Sequence, residues 1–164
     1  MNQSLMVLVV IAAFLAPSEG QDAYDQLSNM EKKGVDLALE NLNSHSSTQY
    51  HFRFFRSLKK FSTESGFGAW FIYHNFYAKA TTCTKGTEEP NAKWCTFRND
   101  KPLIECAVCY KIHSDNILSE PKPYISCVRK PSLTEDVQKK REEHCNKMQY
   151  SVGTISLLGS TGRE

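Results

Sequence analysis

The chain has 164 residues, 40% apolar and 23% charged, which excludes a wholly disordered chain and suits one packed domain. Twenty Lys and Arg against 18 Asp and Glu leave a formal charge of +2. That is too mild for the strongly basic face of a dedicated nucleic-acid binder, so no nucleic-acid partner is expected.

In chain order, the first element is a leader. Residues 5–16 form an unbroken apolar run, shorter than the roughly 20 residues that span a bilayer and suited to a signal-peptide core. Ser18 and Gly20 are small residues at the −3 and −1 positions, so cleavage is expected between Gly20 and Gln21. Residues 1–20 are read as a signal peptide and the chain as secreted and extracellular. Losing Glu19 with the leader raises the formal charge from +2 to +3.

Ser28 and Glu31 have the spacing of a capping box ahead of a periodic segment. Leu27, Met30, Val35, Ala38, Leu39 and Leu42 fall on one helical face, and Lys32, Lys33, Asp36 and Glu40 on the other. The pattern predicts a helix over residues 30–43, which Gly34 weakens by roughly 1 kcal/mol relative to Ala. The period then changes to two. Tyr50, Phe52 and Phe54 alternate with His51, Arg53 and Phe55, which marks a half-buried strand. Further strands are predicted over residues 69–82, 104–113 and 124–128, separated by turn-rich stretches at 62–68, 84–93 and 114–123. Ser132 and Glu135 repeat the capping-box spacing and open a charged stretch to about residue 147, read as a solvated helix. One long helix followed by consecutive strands predicts an α+β fold, the helix packed across an antiparallel sheet of about four strands.

All six cysteines follow the leader, and an even count in a secreted chain reads as three disulfides. Cys106-Ala107-Val108-Cys109 has the spacing of a thiol redox motif, but redox pairs sit at a helix N-terminus, where a thiol pKa is lowered. Here the motif lies in a strand, whose residues three apart point to opposite faces. Cys106 and Cys109 therefore need separate partners. Zinc fails as well, because His113 alone adds one nearby ligand and a structural site needs four. Many pairings remain open to six cysteines. The pairs favoured by position are Cys83–Cys95, closing the loop after the second strand, Cys106–Cys127, on neighbouring strands, and Cys109–Cys145, tying down the C-terminal segment.

The five histidines, His45, His51, His74, His113 and His144, carry no nucleophile-elbow or metal spacing, and no Gly-rich phosphate loop occurs. Neither an enzyme nor a cofactor is expected. Residues 53–61 interleave basic and aromatic side chains. Arg53, Arg56, Lys59 and Lys60 form a candidate contact for heparin-like chains or anionic membranes, against the plainer reading of a strand edge whose charges discourage edge pairing. Beyond Cys145, residues Tyr150, Val152, Ile155, Leu157 and Leu158 lie among glycines. They suit either a last strand or an exposed apolar peptide read by a receptor.

The chain resembles the cystatin superfamily, and within it the chemerin family. The resemblance is carried by the helical segment Glu31-Lys32-Lys33-Gly34-Val35-Asp36-Leu37-Ala38-Leu39-Glu40, by the Cys106–Cys109 strand, and by the interval from Cys127 to Cys145. Cathelicidin pro-domains, also in that superfamily, share a spacing similar to Cys83, Cys95, Cys106 and Cys127 but lack counterparts of Cys109 and Cys145. Likeness extends over roughly residues 27–146. It implies a cystatin-like domain at residues 21–146 and a C-terminal tail at 147–164. Members of the chemerin family are chemoattractants and adipokines, acting in inflammation and metabolic regulation. An extracellular protease trims their C-terminus, and the new end enters a G-protein-coupled receptor. By that resemblance Tyr150, Val152, Ile155, Leu157 and Leu158 are the candidate receptor-binding residues of a monomeric precursor, with Arg163 near a removable end. The tail is shorter than in mammalian members and lacks their Phe/Tyr-rich stretch.

Two alternative readings come from the same superfamily. An antimicrobial precursor of the cathelicidin type releases a cationic peptide, whereas the chain from Asn146 onward carries only Lys147 and Arg163 against Glu164. A cysteine-protease inhibitor of the cystatin type carries Gln-x-Val-x-Gly in its first hairpin. The stretch here is Glu64-Ser65-Gly66-Phe67-Gly68, which matches only at the last Gly.

Overall fold

The structure, a computed structural model, describes residues 21–45, 47 and 49–151. A short helix α1 (Gln21–Asp25) leads into α2 (Asn29–His45). The capping box forms in both directions. The Glu31 N–H donates to Ser28 Oγ at 3.1 Å, and the Ser28 N–H donates to Glu31 Oε1 at 2.9 Å. Two donors that the first helical turn cannot satisfy internally are thereby satisfied. At the other end Asn43 stands in for a strand partner. Its side-chain amide donates to the Phe52 carbonyl at 3.1 Å, and its oxygen accepts from the Phe52 N–H at 2.8 Å. The helix is thus hydrogen-bonded directly to the sheet.

Among the described residues, five antiparallel strands form one sheet: β1 (Tyr50–Gly66), β2 (Ala69–Thr84), β3 (Ile104–His113), β4 (Asn116–Ile117) and β5 (Tyr124–Arg129). The order is β1-β2-β3-β4, with β5 also paired to β3. Residues 62–68 are not the turn that their Ser, Thr, Glu and Gly content predicts. Strand β1 continues to Gly66, and the turn shrinks to Phe67 and Gly68, with φ of 55° and 76°. Positive φ at both central residues is the backbone of a two-residue hairpin turn, whose twist matches that of the strands. Polar side chains along an edge strand face water without breaking its pairing, so composition misjudged the turn. The two-residue β4 lies inside the predicted 114–123 turn region.

A helix packs on each face of this sheet. Against the inner face lies α2, with Val35 and Ala38 buried among Phe52, Phe54, Ile72, Phe76, Cys106, Val108 and Tyr110. Against the outer face lies α3 (Glu135–Tyr150), where Cys145 and Met148 are buried with Phe71 and Cys109. Two helices of similar length, not one, therefore flank the sheet. The α3 cap is Thr134, whose hydroxyl oxygen accepts from the Val137 N–H at 3.3 Å. Ser132, the predicted cap, is held in the short 3-10 turn Lys130–Ser132 that contains Pro131.

Three disulfides join Cys83 to Cys95, Cys106 to Cys127 and Cys109 to Cys145. Cys106 lies opposite Cys127 in the β3–β5 register and belongs to the inner core. Cys109 belongs to the outer cluster and reaches α3. Among the described residues, no helix is long and apolar enough to cross a membrane.

Gly34 sits where α2 presses closest to the sheet. A Cβ at this position would lie 2.2 Å from the Tyr110 ring, whose hydroxyl donates to the Met30 carbonyl at 2.6 Å. Both the ring and its hydrogen bond occupy the place of a side chain. In an open helix Gly→Ala stabilises by about 1 kcal/mol. Here Gly34→Ala is expected instead to destabilise by about 1–3 kcal/mol, the range for overpacking a filled core. A urea unfolding series on the oxidised protein checks this, and a raised midpoint would contradict it.

Candidate functional site: the outer face of the sheet

Strand alternation puts Phe71, Tyr73, Asn75, Tyr77 and Lys79 of β2 on the outer face, with Glu105, Cys109 and Lys111 of β3 beside them. Helix α3 covers one end of this face and leaves the other open. The covered end is fixed by more than its disulfide. Arg141, 2% exposed, donates from Nη2 to the Glu105 and Ser126 carbonyls at 3.0 Å each and from Nε to Ser126 Oγ at 2.9 Å. Its Nη1 is 3.5 Å from Glu105 Oε1, which also accepts from the Asn75 amide at 3.0 Å. Burial pushes the Arg141 pKa down, and the neighbouring Glu105 carboxylate opposes that shift. The charged stretch is therefore not solvated throughout: Arg141 is a buried connector, and Lys139 and Lys140 beside it are exposed.

At the end of α3, the buried Lys111 donates its ammonium to the Ser151 carbonyl. Burial lowers its pKa below the ordinary lysine value. A cation at a helix C-terminus meets carbonyls that have no partner inside the helix. The chain is consequently held on the body as far as Ser151. Tyr150 belongs to the last turn of α3 and is 75% exposed. Val152, Ile155, Leu157 and Leu158 lie outside the described residues, as do the leader and Gly20; Gln21 opens α1.

At the open end the basic stretch 53–61 is divided between the two faces of the sheet. Irregularities in the β1–β2 pairing fall between Phe54 and Arg56 and between Ser57 and Lys59. Each bulge shifts the face on which the following residues emerge. Lys60 pairs with Glu31 of α2 at 3.2 Å, toward the inner face. Lys59, opposite Asn75, is exposed on the outer face nearer α3, where it lines a groove with Phe71 and Tyr73. Arg53 and Arg56 lie on the same face as Lys59, at its open end. Arg53 donates to the Cys95 carbonyl at 3.2 Å and lies 5.8 Å from the Phe97 ring centroid. Arg56 lies 5.4 Å from the Tyr77 ring and 6.0 Å from that of Phe55.

Other elements complete this cluster. Lys79 of β2 stands over Phe55 at 4.7 Å and Phe97 at 5.9 Å, and Lys130 of the 3-10 turn stands over Tyr77 at 5.4 Å. Phe55 and Phe97 meet edge to face, their centroids 5.4 Å apart. Sequence reading did not assign Tyr77, Lys79, Phe97 or Lys130 to this site. The β2 alternation held the signal for Tyr77 and Lys79, since both fall opposite the face of Phe76 and Ala78. Phe97 and Lys130 arrive through loop geometry, for which the sequence gives no spacing rule. No protein-family model and no curated protein matches the chain.

Proposed function

We propose that the chain is a secreted, chemerin-like signalling precursor, in which a cystatin-like body carries a C-terminal tail that is the message. The observation that carries this reading is the fixed exit of the tail. Three independent ties hold α3 to the sheet: the Cys109–Cys145 bridge, the Arg141 connector, and the Lys111 ammonium on the Ser151 carbonyl. A body held so far along the chain presents the residues beyond Ser151 from one constant place. A receptor that orders a free segment must recover that entropy from apolar anchors. Val152, Ile155, Leu157 and Leu158 are the anchors proposed here, with exposed Tyr150 at their root. Trimming at Arg163 by an extracellular protease frees the end, and a G-protein-coupled receptor of the chemerin-receptor type receives it. Three disulfides are consistent with life outside the cell.

Three forms test the reading on cells with and without such a receptor: residues 21–164, residues 21–162 and residues 21–151. Cutting after Ser151 leaves Met148 and the Lys111 contact in place, so the body keeps its packing. Loss of the tail is expected to reduce potency about tenfold or more, as removal of an anchor worth ~1.4 kcal/mol does. Removing Arg163 and Glu164 is expected to raise it. Equal signalling by residues 21–151 and 21–162, or silence of all three forms on competent cells, overturns the proposal.

A further inference from the structure

The open end of the outer face gathers positive charge in an ordered way. Arg53 and Lys79 share the Phe97 ring, Lys79 and Arg56 share Phe55, and Arg56 and Lys130 share Tyr77. Every cation lies within 6.0 Å of the ring it shares, so four like charges stand in a continuous row that crosses β1, β2 and the start of the 3-10 turn. A ring needs only one cation to satisfy its face. Two per ring brings like charges together, which costs energy unless an anion lies nearby. The surrounding carboxylates are already engaged: Glu105 pairs with Arg141, and Asp100 accepts from Arg98 at 2.9 Å. Lys79 donates to the neutral Asn99 side chain at 2.6 Å, which leaves its charge unbalanced. Among the described residues, no ion pair involves Arg56, Lys79 or Lys130. The whole chain carries only +2, so this is a local concentration of charge, not a general basicity.

We propose that this row is a binding site for a linear sulfated polysaccharide, whose sulfate groups lie against Arg56, Lys79 and Lys130. The state of the rings selects this partner among polyanions. Tyr77 is 8% exposed, and Phe55 and Phe97 are half-buried beneath their cations. A bilayer surface holds a protein through apolar side chains that enter the headgroup region, whereas the three rings of this row lie beneath their cations. Single-stranded nucleic acid needs ring faces free for bases to stack on, and here cations occupy them. A sulfated chain needs only regularly spaced donors. Arg and Lys side chains resting on rings supply such donors with part of their mobility already lost. The proposal does not rest on the signalling reading, since it uses no residue beyond Lys130.

Binding of a heparin octasaccharide to the secreted, oxidised chain, measured by calorimetry between 50 and about 300 mM salt, tests the site. The variant Arg56→Ser/Lys79→Ser/Lys130→Ser is compared with Lys33→Ser/Lys139→Ser/Lys147→Ser, which removes the same charge from exposed helix positions. The first is expected to lose about tenfold or more in affinity and to flatten the slope of log Kd against log salt by roughly two. The second is expected to stay within about twofold of the parent at 150 mM salt. If the outer-face triple is poorly folded by circular dichroism, Lys130→Glu alone, on an exposed turn, is expected to weaken binding by about threefold or more. Equal weakening by both triples, or equal binding of fully desulfated heparin, overturns the proposal. Failure of the parent chain to bind at 150 mM salt also overturns it. Tighter binding to phosphatidylglycerol vesicles than to the octasaccharide, lost in the outer-face triple, assigns the row to membranes and overturns the glycan assignment.

Discussion

Replacing Arg141 with Ala is expected to lower the unfolding free energy by about 3–5 kcal/mol, the cost of breaking a buried ion pair by removing one partner. The side chain is 2% exposed and makes three hydrogen bonds to Ser126 and the Glu105 carbonyl, besides its ion pair. Truncation strands the Glu105 carboxylate in a nearly dry site and leaves two carbonyls without their donor. Arg141→Met/Glu105→Gln is expected to recover part of that loss, because the charge is gone while Gln still accepts from the Asn75 amide. Recovery stays incomplete, since the two carbonyls still lack the Arg141 donor. Guanidinium unfolding of residues 21–164 with the disulfides intact measures all three proteins. A loss under about 1 kcal/mol for the Ala variant would show that α3 depends on its disulfide and not on this connector.

A loss of about 3 kcal/mol is expected on going from pH 7 to pH 4 through His74 alone. His74 is fully buried between Phe54 and Phe76. Its Nε2 meets the Ser57 hydroxyl at 2.8 Å, and its Nδ1 has no hydrogen-bond partner among the described residues. Burial pushes its pKa down from 6.5 to about 4; Glu31 pulls weakly upward and Lys60 downward. The unfolded chain thus takes up a proton from about pH 6.5, which the folded chain refuses until about pH 4. Stability from this group is whole above pH 6.5, falls between those values and is spent below pH 4. His74→Leu removes the titration and suits the apolar surroundings. Its unfolding free energy, followed from pH 7 to pH 4 beside the parent, is expected to fall by about 3 kcal/mol less. Parallel curves for the two proteins would contradict this account.

Short-range patterns in the sequence translated directly into structure where both partners of an interaction are close along the chain. The Ser28–Glu31 spacing produced a two-way cap, and the change of period after residue 50 marked the start of β1. Alternation along β3 separated Cys106 from Cys109 before any partner was considered, and the two belong to different clusters on opposite faces. Composition failed where it competed with pairing: residues 62–66 read as turn, yet hydrogen bonds to β2 hold them in β1.

Residue chemistry by itself therefore determined that this chain forms an α+β unit with a capped helix, alternating strands and cysteines divided between two faces. Only the tertiary structure decided which charges are buried and which act together. Arg141 sits among exposed lysines and glutamates of α3, and nothing local tells it apart from Lys139 or Lys140. It is buried because Glu105 and Ser126 of two strands offer acceptors at that one place. Gly34 is a weak helix residue until Tyr110, far along the chain, fills the space above it. The basic stretch 53–61 is contiguous in sequence, yet two bulges divide it, and the cations that stand together are drawn from β1, β2 and the 3-10 turn. Periodicity and capping act over a few residues and leave their mark in order. Burial and charge clustering depend on register and helix docking, which are set by contacts between distant segments.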